Sequence, residues 1–77
     1  MKAIYTELYK AEFDYAPHSD DKVVRFTKHG NDWTGTDNVE LYSLRDVAHH
    51  MEERDHQFSK DEVKKVLDRA VDWLFNG

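Results

Sequence analysis

The apolar positions in the second half of the chain recur at the spacing of α-helices. Across residues 60–75 the apolar side chains fall three or four positions apart and would share one helical face: Val63, Val66, Leu67, Ala70, Val71 and Leu74. A shorter stripe of the same kind precedes it, formed by Leu44, Val47, Ala48 and Met51. The pattern predicts two C-terminal helices, the first ending near residue 55 and the second running from Lys60 to about Phe75.

A serine with the spacing of a capping box stands at the start of each predicted helix. Ser59 can accept a hydrogen bond from the amide three positions later, and Glu62 can reach back to the amide of Ser59. Ser43 repeats the arrangement, with Asp46 in place of the glutamate. We therefore expect the two helices to begin directly after Ser43 and Ser59.

The first half of the chain is typical of short strands joined by turns. Residues 22–28 are rich in valine and aromatic residues and follow turn-forming residues at 17–21. Gly30-Asn31 can form a two-residue hairpin loop, which would place Trp33-Thr34 on the returning strand. Residues 39–42 can add a further short strand before the first helix. Such short connections favour antiparallel pairing.

Residues 3–15 fit two interpretations. With a period of two, alternate positions share one face: Ala3, Tyr5, Tyr9, Ala11, Phe13 and Tyr15. With a period of 3.6, a helical stripe is formed by Ile4, Leu8, Ala11 and Tyr15. Aromatic residues favour strands, and Phe13 falls outside the helical stripe. We therefore expect a strand.

Together these elements predict a single α+β domain over residues 1–77. A short antiparallel sheet of about three strands would occupy residues 1–42, and a helical hairpin at residues 43–77 would pack on it. A chain of 77 residues leaves no room for a second domain.

The composition narrows the possible functions. The chain has no cysteine, which excludes disulfides and thiolate chemistry. Sixteen acids against eleven bases give a net charge of −5, which disfavours binding to nucleic acid because such affinity comes largely from neutralising phosphates. No apolar run approaches the roughly 20 residues of a membrane span, and the N-terminus is interrupted by polar residues too early for a signal peptide. We expect a cytoplasmic protein that does not bind membranes.

One cluster has residue types suited to a metal. On a helix, His49, Glu53 and His56 would lie at i, i+4 and i+7, and imidazole and carboxylate are ligands for zinc and other divalent metals. The cluster lacks the HExxH pattern of metalloproteases. The simpler interpretation is a solvated helix face, so no cofactor is expected. The same histidines could titrate near pH 6–7 and act as a pH switch.

Catalysis finds little support in the sequence. The spacing assigns Ser43 and Ser59 to helix caps rather than to nucleophilic chemistry. Gly30 and Gly35 are isolated, so there is no glycine-rich phosphate loop. We expect the protein not to be an enzyme.

Residues 43–51 resemble, in pattern only, the first helix of a helix-turn-helix unit, in which an alanine at the position of Ala48 packs closely on the second helix. The resemblance implies a transcriptional regulator that binds nucleic acid through the basic residues of its second helix: Lys60, Lys64, Lys65 and Arg69. Two features depart from that pattern. Residues 52–57 exceed the usual turn of about three or four residues, and Asp61 and Glu62 would face phosphates.

The leading hypothesis is an acidic interaction protein that binds and modulates a larger protein. Its ten aromatic residues (four Phe, four Tyr and two Trp) exceed what a thin core needs, and aromatic rings are favoured at interfaces. A sharper version is an inhibitor that occupies a nucleic-acid-binding surface, as DNA-mimicking inhibitors of mobile elements do. The candidate partner-binding residues are Asp20, Asp21, Asp32, Trp33, Asp37, Glu52, Glu53 and Asp55. An aromatic edge strand could also pair with its copy in a dimer.

Overall fold

A computed structural model of the chain describes residues 2–30 and 38–76. These residues form a four-stranded antiparallel sheet in the order β1-β2-β3-β4, followed by two helices. The strands are β1 (Lys2–Tyr5), β2 (Tyr9–Tyr15), β3 (Lys22–Lys28) and β4 (Val39–Leu41), and the helices are α1 (Leu44–Glu53) and α2 (Lys60–Val71). The predicted α+β class is confirmed, with four strands rather than three.

Residues 3–15 form two strands rather than the single strand expected. The break is a turn closed by Thr6, whose hydroxyl accepts from the amide of Tyr9 (2.9 Å) and donates to its carbonyl (3.0 Å). A threonine side chain can close a turn in this way without glycine or proline, and residues 6–8 contain neither of these turn-forming residues. The predicted single face is wrong. Ile4 pairs with Ala11 on the core side of the hairpin, so Ala3 and Tyr5 lie on the opposite face of the sheet from Tyr9, Ala11 and Phe13.

The remaining strand predictions agree with the described residues. β3 has the expected bounds and follows the expected turn, which the amide of Ala16 closes by donating to the carbonyl of Asp21 (2.9 Å). β4 ends one residue earlier than expected, at Leu41. Gly30 has φ of 89°, the positive value that a tight hairpin requires. The expected loop residue Asn31 and the expected return strand at Trp33-Thr34 lie outside the described residues.

One face of the sheet packs against the helices and forms the core. The buried residues of this core are Tyr9, Ala11 and Phe13 of β2, Val24 and Phe26 of β3, Val47 and Met51 of α1, Val66 and Ala70 of α2, and Phe58 between the helices. The opposite face, which we call the outer sheet face, carries ion pairs. Arg25 there lies between Asp14 (3.6 Å) and Glu40 (3.1 Å). The helices therefore cover one face of the sheet, and ion pairs lie on the other, where Val23 is also buried.

Both helices begin where the serines predicted. Ser43 accepts from the amide of Asp46 (3.1 Å), which caps α1. Ser59 accepts from the amide of Glu62 (3.1 Å), and Glu62 accepts from the amide of Ser59 (2.9 Å), which completes the capping box of α2. α1 ends at Glu53, slightly earlier than expected, and a 3₁₀ turn follows at Asp55–Gln57.

The end of the second helix differs in winding from the prediction. The α-helical part stops at Val71, and Asp72–Asn76 continues as a π-helical turn. Hydrophobic spacing alone cannot distinguish these two windings over a single turn. Within the part of the chain that the structure describes, no helix is both long and apolar enough to cross a membrane.

Candidate interaction surface

The outward side of the helix pair carries an apolar line, which we call the helical seam. It consists of Leu44 and Ala48 on α1 and of Val63, Leu67, Val71 and Phe75 on and just after α2. The start of α1 and the end of α2 lie together, because Leu44 lines one groove with Phe75. Ala48 lines a second groove with Val63 and Leu67. The helices are therefore antiparallel, and the seam follows their length.

The second of these grooves, which we call the interhelical groove, has an apolar floor and a charged rim. Its volume is about 590 Å³. Met51 (2% exposed) and Phe58 (7% exposed) reach the core from its floor, while Ala48, Val63 and Leu67 are its half-buried walls. The exposed charged residues that line it are Glu52, Asp55 and Lys60. A groove of this composition can bind an apolar side chain and a charged one together.

The first groove lies at what we call the open end, where the turn between β2 and β3 meets the start of α1 and the π-helical turn. Its volume is about 570 Å³, and its lining residues are Asp20, Asp21, Lys22, Tyr42, Ser43, Leu44, Leu74 and Phe75. Phe75 is 69% exposed and Tyr42 is 52% exposed. Large apolar rings this open to water are typical of surfaces that bind another molecule.

The π-helical turn holds one aromatic ring inward and leaves another outward. Trp73 packs edge-on against Tyr15, with ring centroids 5.1 Å apart, and the Lys22 ammonium lies 5.2 Å from the Trp73 ring. These contacts, one of them of the cation–π kind, fix the turn against the sheet. Phe75, two residues later, stays exposed. Phe75 is therefore exposed at the open end, on a turn that the Trp73 contacts hold against the sheet.

The opposite end of the molecule, which we call the anchored end, is tied together by hydrogen bonds and stacked rings. There the turn between β1 and β2 meets the connection between the helices. The Tyr9 hydroxyl donates to Oε1 of Gln57 (2.8 Å), and the amide of Glu7 donates to Oε2 of Glu62 (2.8 Å). The amides of Ser59 and Glu7 that donate to Glu62 lower the pKa of this carboxyl. Tyr9 also stacks on Phe58, with centroids 5.1 Å apart.

His50 lies buried at the anchored end, which the sequence analysis did not anticipate. Its ring centroid lies 4.7 Å from that of Phe26, and Nη1 of Arg54 donates to its Nδ1 (3.2 Å). Because arginine can only donate, the neutral ring carries its proton on Nε2, and this atom is buried with no hydrogen-bond partner among the described residues. Burial, followed by the charge of Arg54, lowers the pKa of His50 to about 4. The available signal was its spacing from Val47, three residues earlier on the buried stripe.

The structure does not bring the three possible metal ligands to one helix face. His49 pairs with Glu53 on α1, but α1 ends at Glu53 and His56 lies in the following 3₁₀ turn, where its Nδ1 is 3.8 Å from Asp55. The i+7 relation therefore fails because the helix is too short. Among the described residues, no group of three or more histidine or acidic side chains could hold a metal ion.

The predicted partner-binding residues fall into separate places. Asp20 and Asp21 line the open-end groove, whereas Glu52 and Asp55 line the interhelical groove. From Leu44 to Glu52 the helix rises roughly 12 Å, which separates the two pairs. Glu53 is next to Glu52 but lines neither groove. The remaining predicted residues lie outside the described part of the chain: Asp32, Trp33 and Asp37.

The basic residues of α2 alternate with acids along the described surface. Lys64 pairs with Asp68 (2.8 Å), and the Arg69 guanidinium lies over the Phe13 ring at 6.0 Å. Lys65 and Arg69 line a shallow groove together with Asp68 and Asp72. Positive charge on this helix is therefore interspersed with carboxylates, an arrangement that weakens its attraction for phosphates.

Comparison with protein-family models, with curated proteins and with solved structures finds no significant match to this chain. The helical seam, with exposed rings at one end and an acid-rimmed groove at the other, is the candidate site.

Proposed function

We propose that this chain is a non-enzymatic interaction protein, cytoplasmic in location, that binds and modulates a larger protein through the helical seam. The observation that carries the proposal is the continuity of the seam, from exposed Phe75 through Val71 and Leu67 to the interhelical groove. Apolar surface in a contiguous line, rimmed by polar groups, is typical of protein interfaces. Binding a partner would remove this surface from water, which is favourable.

The contrast with the outer sheet face supports the choice of surface. The charged side chains there pair with one another: Arg25 with Asp14 and Glu40, and Lys10 with Glu12 (3.5 Å). A partner on this face would have to break those pairs or desolvate them, which costs free energy. The apolar groups of the seam form no ion pairs, so a partner that binds there has none to break.

The charge of the chain favours a basic partner. The net charge is −5, and acids line both grooves of the seam. Charge complementarity of this kind raises association rates and suppresses wrong partners. A nucleic-acid-binding surface is one basic surface with this property, so the sharper version of the proposal is an inhibitor that competes for such a surface.

Affinity capture with two matched variants tests the proposal. Phe75 and Tyr5 are both aromatic and equally open, at 69% and 71% exposed, but Phe75 is on the seam and Tyr5 is on the outer sheet face. Immobilised wild type, Phe75→Asp and Tyr5→Asp are incubated with lysate of the source cell, and bound proteins are quantified by mass spectrometry. We expect one partner that wild type and Tyr5→Asp retain and that Phe75→Asp loses, because a carboxylate would be buried in the interface.

Two results would contradict the proposal. Equal retention by Phe75→Asp and wild type would show that the seam does not bind. Retention of genomic DNA fragments by the wild-type chain, with a steep loss on raising the salt concentration, would instead support the helix-turn-helix alternative. Circular dichroism of all three proteins checks that neither substitution unfolds the chain.

A further inference from the structure

We infer that the interhelical groove binds an amphipathic helix of the partner, whose apolar ridge is flanked by lysine or arginine side chains. This inference rests on the proposed function and names the chemistry of the bound segment. Three features of the groove support it: its shape, the absence of a strand edge among its lining residues, and the charge of its rim.

The groove has the shape to accept a ridge of apolar side chains. Ala48 has no side-chain atom beyond Cβ, so the α1 wall is low and an incoming backbone can approach closely. On the other wall, Val63 and Leu67 are spaced four residues apart, which is about one turn of a helix, and Val71 continues this row along the seam beyond the groove. Side chains at i, i+4 and i+7 of a third helix can pack between these rows, as in helix-in-groove recognition.

The backbone around the groove argues against an extended peptide. Its lining residues belong to α1, α2 and the connection between them. Strand addition depends on the unpaired amides and carbonyls of a sheet edge, whereas the backbone groups of these helices bond within the helices. Side-chain packing is therefore the main source of affinity available in this groove, and a helix presents side chains without needing backbone partners.

The charge on the rim of the interhelical groove favours a partner helix that carries basic side chains. Of the charged lining residues, Glu52 and Asp55 are acidic and Lys60 is basic, so the rim carries net negative charge. Basic side chains flanking an apolar ridge would lie beside the two carboxylates. A second copy of this chain would bring the same negative rim and a net charge of −5 of its own, which disfavours self-association through this groove.

Synthetic peptides test the inference directly. A fluorescent peptide of about 18 residues, long enough to form helix, carries leucines at i, i+4 and i+7 with lysines on both flanks. A matched peptide carries glutamates in place of the lysines. Binding to the wild-type chain is measured by fluorescence anisotropy at low and moderate salt. We expect the basic peptide to bind and the acidic peptide not to bind, and we expect the basic peptide to bind more weakly at higher salt.

Neighbouring residues of α1 supply the matched control. Glu52→Lys reverses a charge on the rim, whereas Glu53→Lys reverses the adjacent charge outside the groove. We expect Glu52→Lys to weaken binding of the basic peptide roughly fivefold and Glu53→Lys to weaken it by less than about twofold, since an exposed ion pair contributes up to about 1 kcal/mol. Ala48→Leu fills the groove and should abolish binding while circular dichroism stays unchanged.

The outcomes separate this inference from the proposed function. Failure of the basic peptide to bind, equal binding of the acidic peptide, or equal effects of Glu52→Lys and Glu53→Lys would overturn the inference. A partner captured in a Phe75-dependent manner would leave the proposed function standing in each of those cases. Sedimentation showing a dimer that Ala48→Leu dissociates would also overturn it, because the occupant would then be a second copy of the chain.

Discussion

The two ends of the molecule use similar residues for different purposes. At the anchored end, the rings of Tyr9, Phe26 and Phe58 are buried against one another, and hydrogen bonds join the sheet to the helix connection. At the open end, Tyr42 and Phe75 are exposed to solvent and line a groove. The comparison shows that surplus aromatic residues in this short chain are not all needed for the core.

The two helix caps also differ in how firmly they are tied to the rest of the structure. The Ser59 cap is extended into the tertiary structure, because its partner Glu62 also accepts from the amide of Glu7 on the sheet side. The Ser43 cap, at the open end, has a single hydrogen bond from the amide of Asp46. We therefore expect substitutions at the anchored end to change folding stability, and substitutions at the open end to change binding.

The largest expected loss of stability is at Phe58. Phe58→Ala should lower the free energy of unfolding by about 3–5 kcal/mol, because it opens a cavity between Tyr9 and Phe26. Unfolding in urea, followed by circular dichroism, measures the change. A loss below about 1 kcal/mol would show that the anchored end is not the stable part of the molecule.

Acid should destabilise the anchored end through His50. Its pKa is about 4 in the folded chain against 6.5 for the free side chain, so the unfolded chain takes up the proton first as the pH falls. The folded chain keeps its full stability above pH 6.5 and loses stability as the pH falls from 6.5 to 4. At roughly pH 5 this loss is about 2 kcal/mol. Unfolding in urea at several pH values measures this loss.

Two variants control for the other titrating groups. His50→Gln should remove the loss of stability between pH 6.5 and 4 that is due to His50. His49→Gln should leave that loss unchanged, because the side chain of His49 is exposed. An unchanged pH profile in His50→Gln would assign the acid sensitivity to groups elsewhere.

The caps should differ by a smaller amount. Ser59→Ala should cost about 1–2 kcal/mol and Ser43→Ala about 0.5–1 kcal/mol, since Ser59 belongs to the complete box that Glu62 links to the sheet. The same urea series measures both. Equal losses would mean that the link from Glu62 to Glu7 adds nothing to the cap.

The smallest effect on stability is expected at Phe75. Phe75→Ala should change the free energy of unfolding by less than about 0.5 kcal/mol, because the ring is already mostly in water. It should nevertheless reduce capture of the partner. A substantial loss of stability would mean that Phe75 serves the fold rather than an interface.

The features that were predicted correctly depend on residues close in sequence. Helix starts at Ser43 and Ser59, and the strand at residues 22–28, depend on residues close in sequence, and they are where expected. The turn at Thr6 was missed because a side-chain hydroxyl closes it. The burial of His50 was missed because it depends on Phe26, which is distant in sequence.

The candidate site was predicted only in part. Acids at positions 20, 21, 52 and 55 do line grooves, but their division between two grooves depends on the antiparallel packing of the helices. The interhelical groove itself exists because a small residue, Ala48, faces Val63 and Leu67. The sequence pattern identified all three as apolar stripe positions and gave no sign that they would form an open groove instead of a closed contact.

The central claim is that the helical seam binds the partner, and methyl NMR tests it most directly. The seam contains the methyl groups of Ala48, Val63, Leu67 and Val71, while the exposed methyl group of Ala3 lies on the outer sheet face. On addition of the captured partner, we expect the seam methyl signals to shift and that of Ala3 to stay in place. A shift at Ala3, with the seam signals unchanged, would contradict the claim.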